Sequence, residues 1–427
     1  MSTQLSKLAL FCLGILTGLS AAGNTAQATT TPANGLYLNS DGSPLLSLLA
    51  SAERSIDIEI YTMGDPTVRT LLRDALSRQV LVRVVKDPNP LGETCNVFAA
   101  PGSPQTTSTT TDEAAADCDD QRQLVSDIRA AGGTYEPFNK KTLCPNGGGN
   151  GGTGCFEHGK IAIADSQVAM LSTGNFDDTN LCIASESETE CDRDYSMIDD
   201  DSAVVGTLES IFNSDLAGTA YDVQTMIPSS LTNVLTVSPF SLQPIVDFIN
   251  SAQTSIDVET QYLKEPTINS ALEAAATRGV TVSVTTASIC AFGHPSNSDV
   301  KDTNEIYGAF DQAGISSSMF NASNLIDGKK GYLHAKVIVV DGTRAWMGSE
   351  NSSTESLTEN REYGIFFDTP NDVNLALNQI KADHDSSNSE SWQDSLNCVK
   401  DDSLTTSQTT SHLLTPWKAS KSINSLR

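Results

Sequence analysis

The sequence predicts an α/β fold built twice over, and three observations carry that prediction. Ser51-Ala-Glu-Arg-Ser-Ile-Asp-Ile-Glu59 returns as Ser251-Ala-Gln-Thr-Ser-Ile-Asp-Val-Glu259. Asp65-Pro66 returns as Glu265-Pro266, and Arg78-Gln-Val-Leu-Val82 as Arg278-Gly-Val-Thr-Val282. Within each copy, short apolar runs alternate with stretches of helical period.

Each element follows in the same order in both copies. A helix ends near the Ser-Ala pair, and a strand is expected over 56–61 and over 256–262. An amphipathic helix comes next, because Val68, Leu71, Leu72, Ala75 and Leu76 fall at i, i+3, i+4 spacing. A second strand is expected at 80–85 and 280–285. Further on, Ile161-Ala-Ile-Ala and Val337-Ile-Val-Val read as buried strands. Strands that alternate with helices imply a largely parallel sheet covered by helices. The expected organisation is a signal segment at 1–28, a first half at 36–222, a second half at 228–400 and a polar tail at 401–427.

Candidate chemistry sits on the repeat. His158-Gly-Lys160 leads to Asp165 at the same spacing as His334-Ala-Lys336 leads to Asp341. An Asn follows each Asp by ten residues, as Asn175 and Asn351. Residues i and i+2 of a strand share a face, so each copy offers an imidazole beside an ammonium. Two such pairs brought together would hold a phosphate between two histidines and two lysines. Lys160 and Lys336 would be costly strand residues unless a charge awaited them. Asp165 and Asp341 end their strands, where Asp caps turns, and are read as architectural. His294, His384 and His412 have no repeat partner and are assigned no chemistry.

With these residues the chain resembles the phospholipase D superfamily, the HKD phosphodiesterases, whose signature is HxKxxxxD, a small-residue turn and an Asn. The second copy reads HAKVIVVDGTRAWMGSEN and the first HGKIAIADSQVAMLSTGN, where Thr173 keeps the hydroxyl of Ser349. The resemblance implies a duplicated phospholipase D fold, two α/β/α sandwich halves related by a pseudo-twofold axis, with the site at their seam. It implies two-step phosphoryl transfer with no metal and no cofactor. One imidazole, His158 or His334, attacks phosphorus, and the other protonates the leaving alcohol. Lys160, Lys336, Asn175 and Asn351 would hold the non-bridging oxygens. A carboxylate downstream of each motif would fix a histidine tautomer. Glu362 in Arg361-Glu362-Tyr363 lies 11 residues after Asn351. Asp194 in Arg193-Asp194-Tyr195 lies 19 after Asn175, behind an eight-residue insertion bracketed by Cys182 and Cys191. Glu186 keeps the 11-residue offset and is the rival to Asp194.

The chain carries 26 basic and 53 acidic residues, a net charge of −27. Such a surface repels polyanions over a Debye length of ~8 Å and disfavours a nucleic-acid partner. Lys140-Lys141 and Lys329-Lys330 precede the motif histidines and are expected at the entrance, with Phe138, Phe156 and Tyr332 as an apolar rim. The run 146–154, almost all Gly and Asn, reads as a flexible rim beside His158. Lys7, the apolar run 8–19 and Ala26-Gln-Ala28 read as a secretory signal with its cleavage site. That run is too short to span a bilayer, and no later stretch is long enough. The expected location is therefore secreted or periplasmic. Export turns the cysteines into disulfide candidates. Proximity pairs Cys95 with Cys118, Cys144 with Cys155 and Cys182 with Cys191, and elimination leaves Cys290 with Cys398. Zinc is the alternative, but no CxxC pair is present.

Three functions compete. An exported phospholipase D-like phosphodiesterase would act on a phospholipid at a membrane surface, with transphosphatidylation as a side reaction. A secreted HKD endonuclease would act on DNA or RNA, which the acidic charge disfavours. A non-enzymatic binding protein would need a degraded site, and both motifs are complete. A cardiolipin-synthase-like transferase is a variant of the first, although such relatives are typically membrane-anchored.

Overall fold

The computed structural model describes residues 30–103, 112–144, 155–183, 190–291, 295–320, 325–326, 329–386 and 389–399. The signal segment 1–28, the glycine run 146–154, Glu186, His294, His412 and the tail 401–427 lie outside the described residues.

Two sheets organise the chain. The first holds β1 (Gly35–Leu38), β2 (Ser55–Ile60), β3 (Leu81–Lys86), β4 (Thr134–Pro137), β5 (Lys160–Ala164), β6 (Val168–Ser172) and β7 (Tyr195–Asp199). Its spatial order is β1-β7-β6-β5-β2-β3-β4. The second half supplies β8 (Leu235–Ser238), β9 (Ser255–Thr260), β10 (Thr281–Ala287) and β11 (Ser316–Phe320). A separate two-stranded ladder follows, β12 (Leu325–Ile326) and β13 (Lys329–Lys330). Then come β14 (Lys336–Val340), β15 (Arg344–Gly348), β16 (Glu362–Phe367) and β17 (Ser389–Glu390). The second sheet runs β17-β11-β10-β9-β14-β15-β16-β8. Without β17, it repeats the first sheet strand for strand, as a duplicated fold requires.

The sheets are mixed, which corrects the expectation of a largely parallel sheet. Only β2–β3, β3–β4, β9–β10 and β10–β11 are parallel; the other ladders of the two sheets are antiparallel. The reason lies just past the motifs. Asp165-Ser-Gln and Asp341-Gly-Thr are three-residue connections, and a loop that short can join only antiparallel strands. Asp165 and Asp341 both take left-handed backbone, at φ 58° and 55°. The Asp165 carboxylate accepts from the N–H groups of Glu53, Arg54 and Ser55, and Asp341 accepts from those of Gln253, Thr254 and Ser255. Each therefore ties its hairpin to the start of the neighbouring strand, β2 or β9, which runs antiparallel to β5 or β14.

Helices cover the sheets in layers. Helices Leu45–Ser51, Pro66–Ser77 and Asp112–Ala130 share one core with the outer face of the first sheet. Leu242–Asn250, Pro266–Thr277 and Asn297–Ala313 do the same for the second. The repeated Asp65-Pro66 and Glu265-Pro266 start equivalent helices: each acid caps the helix N-terminus, and each Pro takes the first turn, where its missing N–H costs nothing. Between the sheets lies a third core. It draws Ile161, Ile163 and Leu171 from one half, Val337, Val339 and Met347 from the other, and apolar faces of helices Ser202–Ala217 and Pro370–His384. The two halves thus share one apolar interior, and the ends of β5 and β14 reach its polar margin.

Disulfides join Cys95 to Cys118, Cys144 to Cys155 and Cys182 to Cys191, the three local pairs expected from proximity. Cys290 is also disulfide-bonded, and its Sγ lies 3.1 Å from the Ser395 carbonyl oxygen. The side chain of Cys398, its expected partner, lies outside the described residues. Among the described residues, no helix is long and apolar enough to cross a membrane, and no His/Cys/Asp/Glu cluster could hold a metal.

Candidate active site

Strands β5 and β14 begin at the motif lysines, so the histidines stand just ahead of their strands. In that short lead-in each histidine pairs with the other half. His158 N donates to the Arg361 carbonyl at 2.8 Å, and His334 N donates to the Arg193 carbonyl at 3.1 Å. These bonds bring each ring beside the residue that follows the arginine. His158 Nδ1 lies 2.8 Å from Glu362 Oε2, and His334 Nδ1 lies 2.9 Å from Asp194 Oδ1. The carboxylate of each half therefore orients the histidine of the other. Engaging Nδ1 leaves Nε2 of each ring outside the carboxylate pair.

Both carboxylates are fully buried and further tied down. Thr173 Oγ1 donates to Asp194 Oδ1 at 2.6 Å, and Asn180 Nδ2 donates to Asp194 Oδ2 at 2.9 Å. Glu362 Oε1 accepts from Ser356 Oγ and, at 2.9 Å, from Asn360 Nδ2. Thr173 and Ser349 also brace the chain, since their hydroxyl oxygens accept from Tyr195 N and Tyr363 N.

The two lysines are buried to about 1% exposure. Lys160 Nζ donates to the His158 carbonyl at 2.6 Å, and Lys336 Nζ donates to the carbonyls of Thr173 and His334 and lies 3.2 Å from His334 Nε2. Among the described residues, neither ammonium is in an ion pair. A buried cation without a counter-charge is costly. Burial accordingly lowers Lys160 to about 8 and Lys336 to about 7. Burial and the two ammonium groups also hold His158 well below its ordinary value. His334 is lowered to about 4 by burial and Lys336. Glu362 is pushed up to about 7 by burial. Burial acts on Asp194 in the same sense, but the facing His334 and Lys336 hold it below the usual carboxylate range. Asp194 and Glu362 offset part of that burial for both lysines, and a bound anion would add to their effect.

Asn175 and Asn351 carry a matching signal: the Oδ1 atom of each is buried and has no hydrogen-bond partner. Those oxygens are acceptors, which a phosphate oxygen cannot meet, so among the described residues it is the amide Nδ2 of each Asn that could donate to an anion.

The rim differs from the expected one. Phe138 is a core residue, 2% exposed and clustered with Val85 and Phe212. Lys140 is spent internally, with Nζ 2.9 Å from Asp87 Oδ1 and 4.3 Å from the Phe156 ring centre. Lys141 is exposed, and the side chains of Lys329 and Lys330 lie outside the described residues. Phe156 and Tyr332 are half-buried and flank the histidines: Tyr332 packs edge-on to His334 at 5.7 Å, and Tyr61 sits between Phe156 and His158 at 5.7 and 4.7 Å. His384 bonds the hydroxyls of Thr285 and Ser316 at 3.0 Å each, a structural role away from the motifs.

Sequence reading missed the seam that holds the two half-sites together. Arg193 pairs with Asp383 at 2.7 Å and Arg361 with Asp215 at 2.8 Å. Tyr195 donates to Glu259 Oε2 at 2.6 Å and Tyr363 to Glu59 Oε2 at 2.8 Å. Every one of these bonds crosses between halves. A signal was present, since Glu59 and Glu259 align in the repeat, and Asp215 and Asp383 each lie 22 residues after the arginine of their own half.

A family model described as "Cardiolipin synthase, PLD-like domain" matches residues 45–216 and 245–384, one stretch in each half. The probable cardiolipin synthase YwiE of Bacillus subtilis (strain 168) is 30% identical over 128 residues, a match spanning 28% of this chain and 22% of that relative. The crystal structure of phosphatidylserine synthase from Haemophilus influenzae Rd KW20 is similar at a TM-score of 0.53 and 13% identity, covering 83% of this chain and 87% of that one. Polyphosphate kinase from Porphyromonas gingivalis is similar at 0.50 and 13%, covering 80% of this chain but 48% of that one. At such identities these two structures speak for the fold alone.

Proposed function

The chain belongs to the phospholipase D superfamily, and we propose that it is an exported phosphodiesterase that cleaves the head group from a phospholipid. The observation that carries this reading is the pair of histidines, each oriented at Nδ1 by the opposite half's carboxylate, beside two buried ammonium groups that have no ion-pair partner among the described residues. A phosphodiester anion fits that charge.

In the first step one histidine Nε2 attacks phosphorus, forming a P–N bond as the P–O bond to the head group breaks. The other histidine gives its proton to the departing oxygen. That histidine then takes a proton from water, whose oxygen displaces the first imidazole and restores both rings. An alcohol in place of water gives phosphatidyl transfer. The depressed histidine values suit the attacking ring, which must be neutral. The bound anion favours protonation of the second, because it offsets the two ammonium charges. Lys160, Lys336, Asn175 and Asn351 would stabilise the charge on the five-coordinate transition state.

Support for a lipid substrate comes from the family description, the net charge of −27 and the apolar Phe156–Tyr332 rim. Support for export comes from the disulfides and the expected signal segment. The test compares head-group release from phosphatidylcholine, phosphatidylethanolamine and phosphatidylglycerol vesicles with cleavage of plasmid and single-stranded DNA at low salt. Lipid turnover is expected, and DNA cleavage without it would overturn the substrate while leaving the chemistry.

A pH dependence follows from the lysines. Both are lowered, so in the free protein positive charge is lost as pH rises through about 7 to 8. Affinity for an anionic diester falls with it, and kcat/KM should decline on that alkaline side. Bound substrate keeps the ammonium groups charged, so the decline in kcat should begin at higher pH. A kcat/KM that climbs steadily from pH 7 to 9 would contradict this account.

A further inference from the structure

The two half-sites solve one problem in two ways. Asn180 and Ser356 each lie five residues after their motif Asn, and Asp192 and Asn360 each lie two residues before their carboxylate. Asn360 Oδ1 accepts from Phe156 N at 2.9 Å, and Asp192 Oδ1 accepts from Tyr332 N at 3.2 Å. Each thereby clasps the backbone two residues before the opposite half's histidine. In one copy Ser356 and Asn360 both donate directly to Glu362. In the other copy a single amide serves two acids, since Asn180 Nδ2 donates to Asp192 Oδ2 at 3.1 Å and to Asp194 Oδ2 at 2.9 Å. The same Nδ2 lies 3.5 Å from His334 Nδ1.

We propose that Asp192 is a positioning residue for His334: with Asn180 it forms a frame, absent from the other copy, that turns Asp194 onto the ring and fastens it to the Tyr332 backbone. The inference deepens the functional reading above and rests on it for its consequence, not for its geometry.

Two further features support the frame. Asp192 follows Cys191, which is bonded to Cys182, so the insertion is closed by a covalent loop directly beside the acid. A Cβ at Gly331 would lie 1.6 Å from the Cys191 carbonyl oxygen, so glycine alone allows this loop to press against the segment leading to His334. Asp192 is also an expensive choice. It is 3% exposed, and burial with the neighbouring Asp194 charge pushes its carboxyl up to about 7. The other copy avoids that cost with an amide.

The test exchanges one frame for the other. Asp192→Ala should lower kcat about tenfold to a hundredfold with little change in KM, because it misplaces a group without removing one that touches substrate. Asp192→Asn alone should also impair turnover, since its new amide meets Asn180 Nδ2 donor to donor. Adding Asn180→Ser recreates the Ser356–Asn360 arrangement and should restore most of the rate. The readout independent of turnover is 15N NMR of the His334 ring. A single tautomer protonated at Nδ1 is expected in the native protein and the double variant, and a mixture in Asp192→Ala. Should Asp192→Ala fail to fold, Ser356→Asn with Asn360→Asp tests the frame on His158, which should keep a single tautomer. An unchanged His334 tautomer and kcat in folded Asp192→Ala would overturn the proposal, as would a double variant no better than Asp192→Asn. A protein that turns over no diester overturns the functional reading instead, and the tautomer measurement still decides this one.

Discussion

His158→Ala and His334→Ala are each expected to lower kcat by about 10⁴-fold or more while the protein remains folded. The size follows from the division of labour: one ring forms the bond to phosphorus and the other moves the proton, so neither can cover for its partner. Folding should survive because the carboxylates keep other partners. Without His158, Glu362 retains Ser356 and Asn360; without His334, Asp194 retains Thr173 and Asn180. The two variants should then differ with an activated diester whose leaving group needs no proton. The variant lacking the acid still completes the first displacement and accumulates a phosphohistidine, whereas the variant lacking the nucleophile labels nothing. Intact-mass analysis after a short incubation separates them. Near-native turnover by either variant would end the shared-site mechanism.

The motifs were legible because the chain states them twice. A histidine, a lysine, an aspartate and an asparagine at matched offsets leave little room for coincidence, and the strands, helices and local disulfides came with them. What the offsets do not carry is which copy a side chain serves. Glu362 follows Asn351 in sequence yet orients His158, because the bridge between Glu157 and Arg361 crosses the seam. Asp194 lies outside the expected offset yet meets His334, because the closed insertion returns the chain to the seam before Arg193. Alternation alone suggests a parallel sheet, but the three-residue connections after Asp165 and Asp341 require hairpins. Sequence proximity to His158 suggests a place at the rim for Phe138 and Lys140. Their burial depends on Phe212 and Asp87, which are remote in sequence, and no local pattern announces that.

The crossing seam leads to the largest expected loss of stability. Arg361 and Asp215 are both buried, with side-chain exposures of 4% and 0%. Arg361 donates from Nε and Nη2 to the two Asp215 oxygens and from Nη1 to the Ser238 carbonyl. Arg361→Ala would leave Asp215 as an unpaired buried charge, and breaking such a pair costs about 3–5 kcal/mol. The neighbouring Glu59 cannot absorb that loss as a second ion. Burial and the Asp215 charge push its carboxyl well above the ordinary range, and it accepts from the Tyr363 hydroxyl. Chemical denaturation should therefore show a large drop for Arg361→Ala. Activity should fall with it, because the Arg361 carbonyl receives His158 N and the next residue is the carboxylate that orients the ring. The double variant Arg361→Met with Asp215→Asn removes both charges, so it should recover much of the stability. A deficit in Arg361→Ala below about 1 kcal/mol, the scale of an exposed pair, would mean that water reaches Asp215 and the seam is not closed. Full recovery of stability in the double variant without recovery of turnover would separate the two roles of this arginine: its side chain holds the halves together, and its placement of Glu362 sets the histidine.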